Sequence, residues 1–349
     1  MGRDRGLTLI ELLVAFILLT LISVMIYRGY ISVIRETSRI YYVAKDEKEV
    51  RTFIYQLIKD IKSAGFGVGK SEIDNTGNGV LSSCQFPTTN VPVLSKCTDA
   101  NNNDQLYILS LSSRNIRESG CWGFVDSEGC LRVAYVTKIG ERVNLSQNLL
   151  SRDCSSDIRR TGRFLFLSKE RRILGGGVES GSNVCVQSAE CDSGIKCSYK
   201  NSVFVYFGDN DFTYPDDFQV RYYLSPNNIP VECAPNTYNL VRQLRGGVGQ
   251  PILSCVATFK VYYGESDDFG SMLYSASIGS IDNLKSVVLC MVVQLGRHKA
   301  GKPTESVTFS NKCGGFTVSF NDERRFYRWK VVEEEVPLRN IGAITVQEE

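Results

Sequence analysis

The hydrophobic positions follow two patterns, and the chain changes from one to the other near residue 65. Residues 7–27 form an almost unbroken apolar run. Further along, apolar side chains spaced three, four or seven positions apart define one face of a helix; they are Ile40, Val43, Val50, Ile54, Leu57, Ile58 and Ile61. Residues 7–64 lack proline, and Gly65 is a suitable residue to end a helix. The pattern predicts one continuous helix, with an apolar half at 7–27 and an amphipathic half at 28–64.

Beyond residue 65 the pattern becomes that of an antiparallel sheet protein, with short β-branched and aromatic runs between Gly, Asn, Asp and Ser clusters. Val220–Tyr223 alternates and predicts a half-exposed strand, whereas Val287–Leu295 is nearly all apolar and predicts a central strand. The predicted strands are Gln105–Leu111, Leu131–Thr137, Arg163–Leu167, Val203–Phe207, Phe218–Leu224, Val256–Tyr263, Val287–Leu295 and Phe316–Phe320. The pattern therefore predicts an α+β fold with one β-rich head at 65–349. Residues 84–200, richer in Cys, Gly and Ser, form an elaborated insert within it.

The composition allows a folded core and argues against several classes of function. The 349 residues are 43% hydrophobic and 22% charged, so the chain can bury a sizeable core. The net charge of +2 provides no overall field that would attract nucleic acid. The one histidine, His298, removes most His-dependent catalysis and multi-histidine metal sites, and the sequence has no nucleophile elbow. We therefore predict that the chain is not an enzyme and uses no cofactor or metal.

The apolar run has the length of a membrane span. Its twenty-one residues would form a helix about 31 Å long, which matches the hydrocarbon core of a bilayer. Arg3 and Arg5 precede the run, so the positive-inside rule places the N-terminus in the cytoplasm and the head on the other side of the membrane. A secretory signal peptide would have a shorter apolar region with a small-residue cleavage site. A plain signal anchor fits the length but does not explain Glu11, because a carboxylate inside an apolar span is costly unless it is paired or protonated.

The residues Arg5–Ala15 resemble the processing site of type IV prepilins. The resemblance implies that residues 1–6 are a leader peptide, and that a prepilin peptidase cuts between Gly6 and Leu7 and methylates Leu7. It also implies a role for Glu11 in assembly, because its carboxylate can pair with the terminal amine of a neighbouring subunit in an apolar filament core and so set the axial register. The sequence departs from the family at Leu7, where phenylalanine is usual.

Short stretches elsewhere resemble the PilW-like group of minor pilins. They are Ile58–Phe66, Asn103–Ile108, Leu240–Arg242, Val261–Gly264 and Val336–Asn340. One departure is Arg28, where major pilins commonly have a helix-kinking proline. Together the motifs imply a type IV pilin-like fold, in which a long N-terminal helix packs on an antiparallel sheet head held by disulfides.

The function that the resemblance implies is that of a minor pilin, which takes part in initiation or tip assembly of a type IV pilus. The implied partners are other minor and major pilins, the prepilin peptidase, inner-membrane lipid and the inner-membrane assembly platform. Two alternatives stay open. One is a J-type pseudopilin of a type II secretion system, and the other is an adhesive tip subunit whose insert at 84–200 contacts a surface or ligand.

The sequence has twelve cysteines, all of them after residue 83, as expected of a disulfide-bonded head in an oxidising compartment. C-x-x-C pairs are absent, which argues against a zinc ribbon or a thioredoxin-like site. The preferred pairs are Cys84 with Cys97 and Cys121 with Cys130, because each would close a short local loop. A further run of evenly spaced cysteines favours small disulfide loops over a soft-metal site, and consists of Cys185, Cys191 and Cys197.

Two other motifs resemble ligand loops but lack the required context. Ala64–Ser71 ends in Gly-Lys-Ser like a phosphate-binding loop, yet it follows a helix instead of a buried strand, so a helix-ending turn is preferred. Asp209–Asp217 is rich in acidic residues, but a calcium loop needs a glycine at its sixth position and a glutamate at its twelfth, and this stretch has neither. A solvated turn is the preferred interpretation there.

Overall fold

The computed structural model describes most of the chain in separate segments. They are residues 9–68, 76–87, 91–111, 122–125, 131–134, 163–168, 173–180, 199, 201–206, 216–296, 303–338 and 341. Several residues that the sequence analysis singled out lie outside these segments, namely Gly6, Leu7, Cys121, Cys130, Cys185, Cys191 and Cys197.

The regular structure within these segments begins with one long helix, α1, at Leu9–Lys62, which is followed by strands. The strands in chain order are β1 Leu94–Thr98, β2 Asp104–Leu109, β3 Trp122–Val125, β4 Leu131–Ala134, β5 Arg163–Leu167, β6 Ile173–Ser180, β7 Val203–Tyr206, β8 Gln219–Ser225, β9 Tyr238–Leu244, β10 Gln250–Ser266, β11 Met272–Ser275, β12 Leu284–Gln294, β13 Ser306–Thr308, β14 Thr317–Ser319 and β15 Trp329–Pro337. Short 3-10 helices occur at Asp216–Phe218, Asn311–Cys313 and Asp322–Phe326.

α1 is a continuous helix of 54 residues, as the sequence predicts. Its second half carries the apolar stripe, and Val50, Leu57 and Ile61 are at most 1% exposed. The stripe begins later than predicted, because Ile40 is 60% exposed. The physical reason is that the head reaches along the helix only as far as Val43. The Val43 side chain packs so closely on Gly296 that a Cβ added there would lie 3.2 Å from Cγ2 of Val43.

α1 ends in a turn that also joins it to the larger sheet. Gly65 has a φ of +74°, the left-handed conformation that favours glycine after a helix. Its N–H donates to the carbonyl of Leu109 at 3.0 Å. The described part of Ala64–Ser71 therefore forms a helix-ending turn and not the strand-to-helix connection of a phosphate loop.

The larger sheet has the strand order β1-β2-β8-β9-β10-β12-β15, with β11 paired to the far part of β10. β12 is hydrogen-bonded on both sides, to β10 and to β15, so Val287–Leu295 lies in an interior strand as the sequence predicts. Its sequence is apolar at nearly every position because both of its faces are covered. Val287 and Leu289 belong to the core shared with α1, whereas Val288 and Cys290 belong to a second cluster on the opposite face.

The opposite face of the sheet is covered by residues 303–326, which we call the strap. The strap contains the β13–β14 hairpin and two of the 3-10 helices. Phe320 stacks on Trp329 of β15 with ring centroids 4.5 Å apart. A disulfide joins Cys313 of the strap to Cys290 of β12. This part of the head therefore has three layers, formed by α1, the larger sheet and the strap.

A smaller sheet with the order β4-β3-β7-β5-β6 is formed by residues between 122 and 206. Leu165, Leu167 and Val205 from this sheet join the core that contains α1. The predicted insert at 84–200 overlaps the smaller sheet, but it also includes β1 and β2, which belong to the larger one. The smaller sheet is thus formed by the later part of that insert together with β7, which follows the insert.

Candidate assembly interface

The first part of α1 presents a large apolar surface that the head does not cover. Between residues 9 and 41 the exposed side chains include Leu9 at 84%, Phe16 at 66% and Met25 at 72%. This segment is about 50 Å long at 1.5 Å per residue. By length and composition α1 is the one described helix able to cross a membrane. Since the hydrophobic effect opposes leaving this surface in water, it needs either a bilayer or other apolar helices around it.

The polar hydroxyls within the apolar run are satisfied by the helix itself. Thr20 donates to the carbonyl of Ile17 and Ser23 to the carbonyl of Leu19, each at 2.8 Å. Such internal bonds remove the cost of placing a hydroxyl in an apolar environment. Sequence reasoning did not identify them, although the spacing to a preceding carbonyl is a general property of Ser and Thr in helices.

Glu11 lies in α1, two residues after the first described residue of the helix. The neighbouring side chains Leu12, Leu13 and Val14 are each more than half exposed and all apolar. A carboxylate in an apolar run is costly in a bilayer or filament core unless a positive partner meets it there. The role of Glu11 in assembly stays a prediction.

A buried ionic anchor fixes the other end of α1 to the larger sheet. Oδ2 of Asp60, in the last turn of the helix, accepts hydrogen bonds from the Tyr222 hydroxyl at 2.6 Å and from Nε of Arg242 at 2.8 Å. The Arg242 and Asp60 side chains are only 17% and 12% exposed. Burial acts to lower the pKa of Arg242, but the Asp60 carboxylate and the Tyr222 side chain together outweigh it, and the net shift is upward. Burial, reinforced by the same carboxylate, raises the pKa of Tyr222 well above its usual value.

A second set of contacts holds α1 where it first meets the head. Oδ2 of Asp46 accepts a hydrogen bond from the Gly296 N–H at 2.6 Å. Lys330 of β15 lies 3.6 Å from Glu47. The helix is therefore fixed at both ends of its buried part, and the segment before residue 42 extends from a rigid base.

Another buried acid, Asp104, fastens β1 to β10. Its carboxylate accepts hydrogen bonds from Nζ of Lys96 at 2.9 Å, from the Thr98 hydroxyl at 2.7 Å and from the Val261 N–H at 2.8 Å. Burial lowers the pKa of Lys96, and the adjacent Asp104 carboxylate opposes that shift only in part. The Asn103 side chain accepts a hydrogen bond from the Phe259 N–H in the same way, at 3.3 Å. These two side chains thus bond to the part of β10 that lies between its partners β9 and β11.

The contacts at Asp60 and Asp104 bring together stretches that the sequence analysis identified separately. Ile58–Phe66 meets Leu240–Arg242 through the Asp60–Arg242 pair. Asn103–Ile108 meets Val261–Gly264 through the bond from Val261 to Asp104. The first pair of stretches therefore joins the helix to the sheet, and the second pair joins one strand to another. Sequence reasoning did not predict these pairs, because their partners are far apart in the chain.

The described segments contain three disulfides. Cys84 is joined to Cys97, which is one of the two pairs that the sequence analysis preferred. The other two were not predicted and join Cys233 to Cys255 and Cys290 to Cys313. Among the described residues no group of three or more His, Cys, Asp or Glu side chains could hold a metal ion. Most of the acidic stretch at 209–217 lies outside them.

Comparison with known proteins identifies the N-terminal segment. Residues 1–27 match the family described as the prokaryotic N-terminal methylation motif. Neither a curated protein nor a solved structure matches the chain. The matched segment contains the residues that resemble a prepilin processing site, and it runs directly into the exposed helix. The motif therefore indicates a precursor of the type IV pilin-like and pseudopilin class, and implies processing by a prepilin peptidase and packing with other pilins.

Proposed function

We propose that the protein is a minor pilin of a type IV pilus, which takes part in initiation or tip assembly of the filament. The observation that carries the proposal is the continuity of the methylation motif at residues 1–27 with a 54-residue helix whose first part has no cover from the head. Its role is structural and not enzymatic. The assignment to a PilW-like minor pilin rests on the short stretches that meet at Asp60 and Asp104.

Assembly would proceed in three steps. While α1 spans the inner membrane, the peptidase removes residues 1–6 and methylates Leu7. The apolar part of α1 then moves from lipid into a bundle of pilin helices, which replaces one apolar environment with another at little cost. Glu11 meets the terminal amine of a neighbour there and sets the register, while the anchor at Asp60 keeps the extracytoplasmic head attached to the moving helix.

Two alternative functions fit parts of the same architecture. A J-type pseudopilin of a type II secretion system would need the same exposed helix and sheet head. An adhesive tip subunit is favoured by the smaller sheet at residues 122–206, which is additional to the sheet that holds the helix. The first alternative is distinguished from a type IV pilin by deleting the host's type IV pilus genes or its type II secretion genes separately and locating the chain in sheared filaments. Loss of attachment with filaments retained, after removal of the segment carrying the smaller sheet, would favour the second.

The first test is the intact mass of the chain purified from membranes, with and without the host's prepilin peptidase. We expect loss of residues 1–6 and gain of one methyl group only when the peptidase is present. A Gly6→Val variant provides the matched control, because its bulky side chain blocks the predicted cut in the presence of the enzyme. Retention of residues 1–6 in the unmodified chain under both conditions would refute the proposal.

The second test concerns Glu11. Glu11→Ala should be processed normally but be lost from sheared filaments, because the terminal amine of its neighbour would have no partner in an apolar core. Glu49→Ala is the control, since Glu49 is an exposed acid of the same helix that pairs with Lys45 at 3.9 Å. Normal incorporation of the Glu11 variant would remove the proposed role in register.

A further inference from the structure

The larger sheet is closed at one edge and open at the other. At the β1 edge, residues 79–81 bond to the strand: the Lys96 N–H donates to the carbonyl of Gly79 at 2.8 Å, and the Leu81 N–H donates to the carbonyl of Lys96 at 2.7 Å. At the other edge the strand order ends with β15, which is nine residues long. Since an unpaired edge strand is a template for another strand, β15 has the properties of an interaction surface.

The hydrogen bonds at the two ends of β15 show which of its backbone groups are unpaired. The Leu295 N–H donates to the carbonyl of Arg328, and the Leu338 N–H donates to the carbonyl of Lys285, each at 2.8 Å. The pairing with β12 is regular between these points, so the even-numbered residues direct their backbone groups towards β12 and the odd-numbered residues direct theirs away from it. No described residue bonds to the outward-directed backbone groups, which belong to Trp329, Val331, Glu333, Glu335 and Pro337.

Both faces of β15 are covered although its edge is not. On one face Val332 and Val336 belong to the core shared with α1. On the other face the Ser310 N–H of the strap donates to Oε1 of Glu333 at 2.7 Å. The strand is therefore held in place from both sides, and a second strand would find the outward-directed groups already arranged for pairing. Preorganisation of this kind lowers the entropy cost of binding.

A second copy of the same strand is a poor partner for this edge. An antiparallel self-pairing that uses the whole strand sets Glu333 opposite Glu333 and places two runs of three glutamates against each other. Like charges directly opposite each other destabilise a pair of strands, so the sequence of β15 disfavours pairing with itself. The occupant of the edge must therefore be a strand of different sequence.

Glu334 indicates the charge of that strand. Glu333 and Glu335 already bind the strap, whereas Glu334 has no ion pair or side-chain hydrogen bond with any residue of the described segments. Glu334 is partly buried and lies opposite Leu289 of β12. On an added antiparallel strand, the residue opposite Glu334 would be in a non-hydrogen-bonded pair, where side chains come closest. A lysine or arginine at that position would neutralise the acid.

We propose that β15 binds an extended segment of a different protein, which adds to the larger sheet as a further antiparallel strand and places a lysine or arginine opposite Glu334. Bonds to the outward-directed backbone groups provide affinity, and the charge pair selects the segment. Pro337 has no N–H and so ends the edge that the segment can use. The contact uses the edge of the head and not the exposed part of α1, so it goes beyond the helix packing of the proposed function.

The test places a photo-crosslinking amino acid at position 328, or in a second chain at position 337, of the full protein in its host. Both positions are exposed, and they are nine residues apart along an extended strand, which is about 30 Å. We expect both crosslinks to fall in one segment of the same partner, about nine residues apart and in reversed order, with a lysine or arginine between them. A helix bound along the edge would instead place the two crosslinks about 20 residues apart.

Two sets of variants test the backbone bonds and the charge separately. Glu333→Pro removes an outward-directed N–H without affecting the bonds to β12, and should abolish both crosslinks. Glu333→Ala is its matched control, because it loses the same side-chain bonds but keeps the N–H, and it should retain them. Glu334→Lys should reduce the crosslink yield roughly tenfold, and a glutamate in place of the partner's basic residue should restore it. Glu305→Lys, which changes an exposed acid of the head outside β15, should leave the yield unchanged.

Several outcomes would overturn the proposal. They are crosslinks about 20 residues apart, crosslinks only to a second copy of this chain, the absence of any crosslink, and a yield unchanged by Glu333→Pro or by Glu334→Lys. Intact mass measured on the same samples separates the two hypotheses. A chain that keeps residues 1–6 contradicts the pilin function, whereas a processed chain without the expected pair of crosslinks contradicts only the present inference.

Discussion

The anchor between α1 and the sheet predicts a large loss of stability when Asp60 is removed. Asp60→Ala deletes the acceptor for the Tyr222 hydroxyl and for Nε of Arg242 and removes the charge that balances the guanidinium. Breaking a fully buried ion pair costs about 3–5 kcal/mol, and because these two side chains keep 12% and 17% of their exposure we expect about 2–3 kcal/mol here. Asp60→Asn retains an acceptor oxygen and should cost about 1 kcal/mol.

The assay is urea unfolding of the oxidised full-length chain in detergent, monitored by tryptophan fluorescence. A loss of 2–3 kcal/mol should lower the urea midpoint by roughly 1 M. Glu49→Ala is the control, because the Lys45–Glu49 pair is exposed and contributes less than about 1 kcal/mol. Arg242→Ala combined with Asp60→Ala completes a double-mutant cycle, for which we expect a coupling energy of about 1–3 kcal/mol. A coupling energy near zero, or a midpoint for Asp60→Ala equal to that of the control, would refute the reasoning.

Two further predictions concern the strap. The double substitution Cys290→Ser, Cys313→Ser opens a loop of sequence separation 23 and should lower the free energy of unfolding by about 2–4 kcal/mol in the same assay. Proteolysis within residues 303–326 should increase, because the strap is no longer tied to the sheet. Equal cleavage of the variant and the unmodified chain would contradict the prediction. Burial acts to raise the pKa of Glu335, but hydrogen bonds from Lys312 at 2.7 Å and Ser286 at 2.8 Å outweigh it and lower the pKa below its usual range. The stabilisation of the folded state by ionised Glu335 is therefore present above the unfolded-state pKa of about 4.3 and is lost as pH falls through the lower folded-state value. Glu335→Gln should flatten the dependence of the unfolding free energy on pH in that acidic range. An unchanged pH dependence would contradict the assignment.

The sequence predicted those elements that are defined by the residues next to them in the chain. The helix was predicted over 7–64 and spans Leu9–Lys62, because its periodicity and the absence of proline are sufficient to define it. The strand predicted at Arg163–Leu167 has those bounds in the structure, since its side chains are apolar on both sides. Glu11 could be singled out because one charge in an apolar run is visible without knowledge of the fold.

Elements that depend on distant partners were not predicted. β15 was missed because Glu333, Glu334 and Glu335 have low β propensity, and the first and last of them bind strap residues that precede the strand. β1 contains Lys96, which is 5% exposed, and its burial is tolerable only because Asp104 comes from the neighbouring strand. β10 extends well beyond the predicted Val256–Tyr263. The reason is that one of its edges is hydrogen-bonded in turn by β9, by the Asn103 and Asp104 side chains and by β11.

The three disulfides of the described segments also influence how the head would respond to mechanical tension. They close loops with sequence separations of 13, 22 and 23. Since an extended chain spans at most about 3.5 Å per residue, these loops withhold roughly 200 Å of contour length that pulling cannot release while the bridges are oxidised. A head pulled through α1 would therefore extend less than its number of residues allows, and the force would act first on the non-covalent bonds at Asp46 and Asp60.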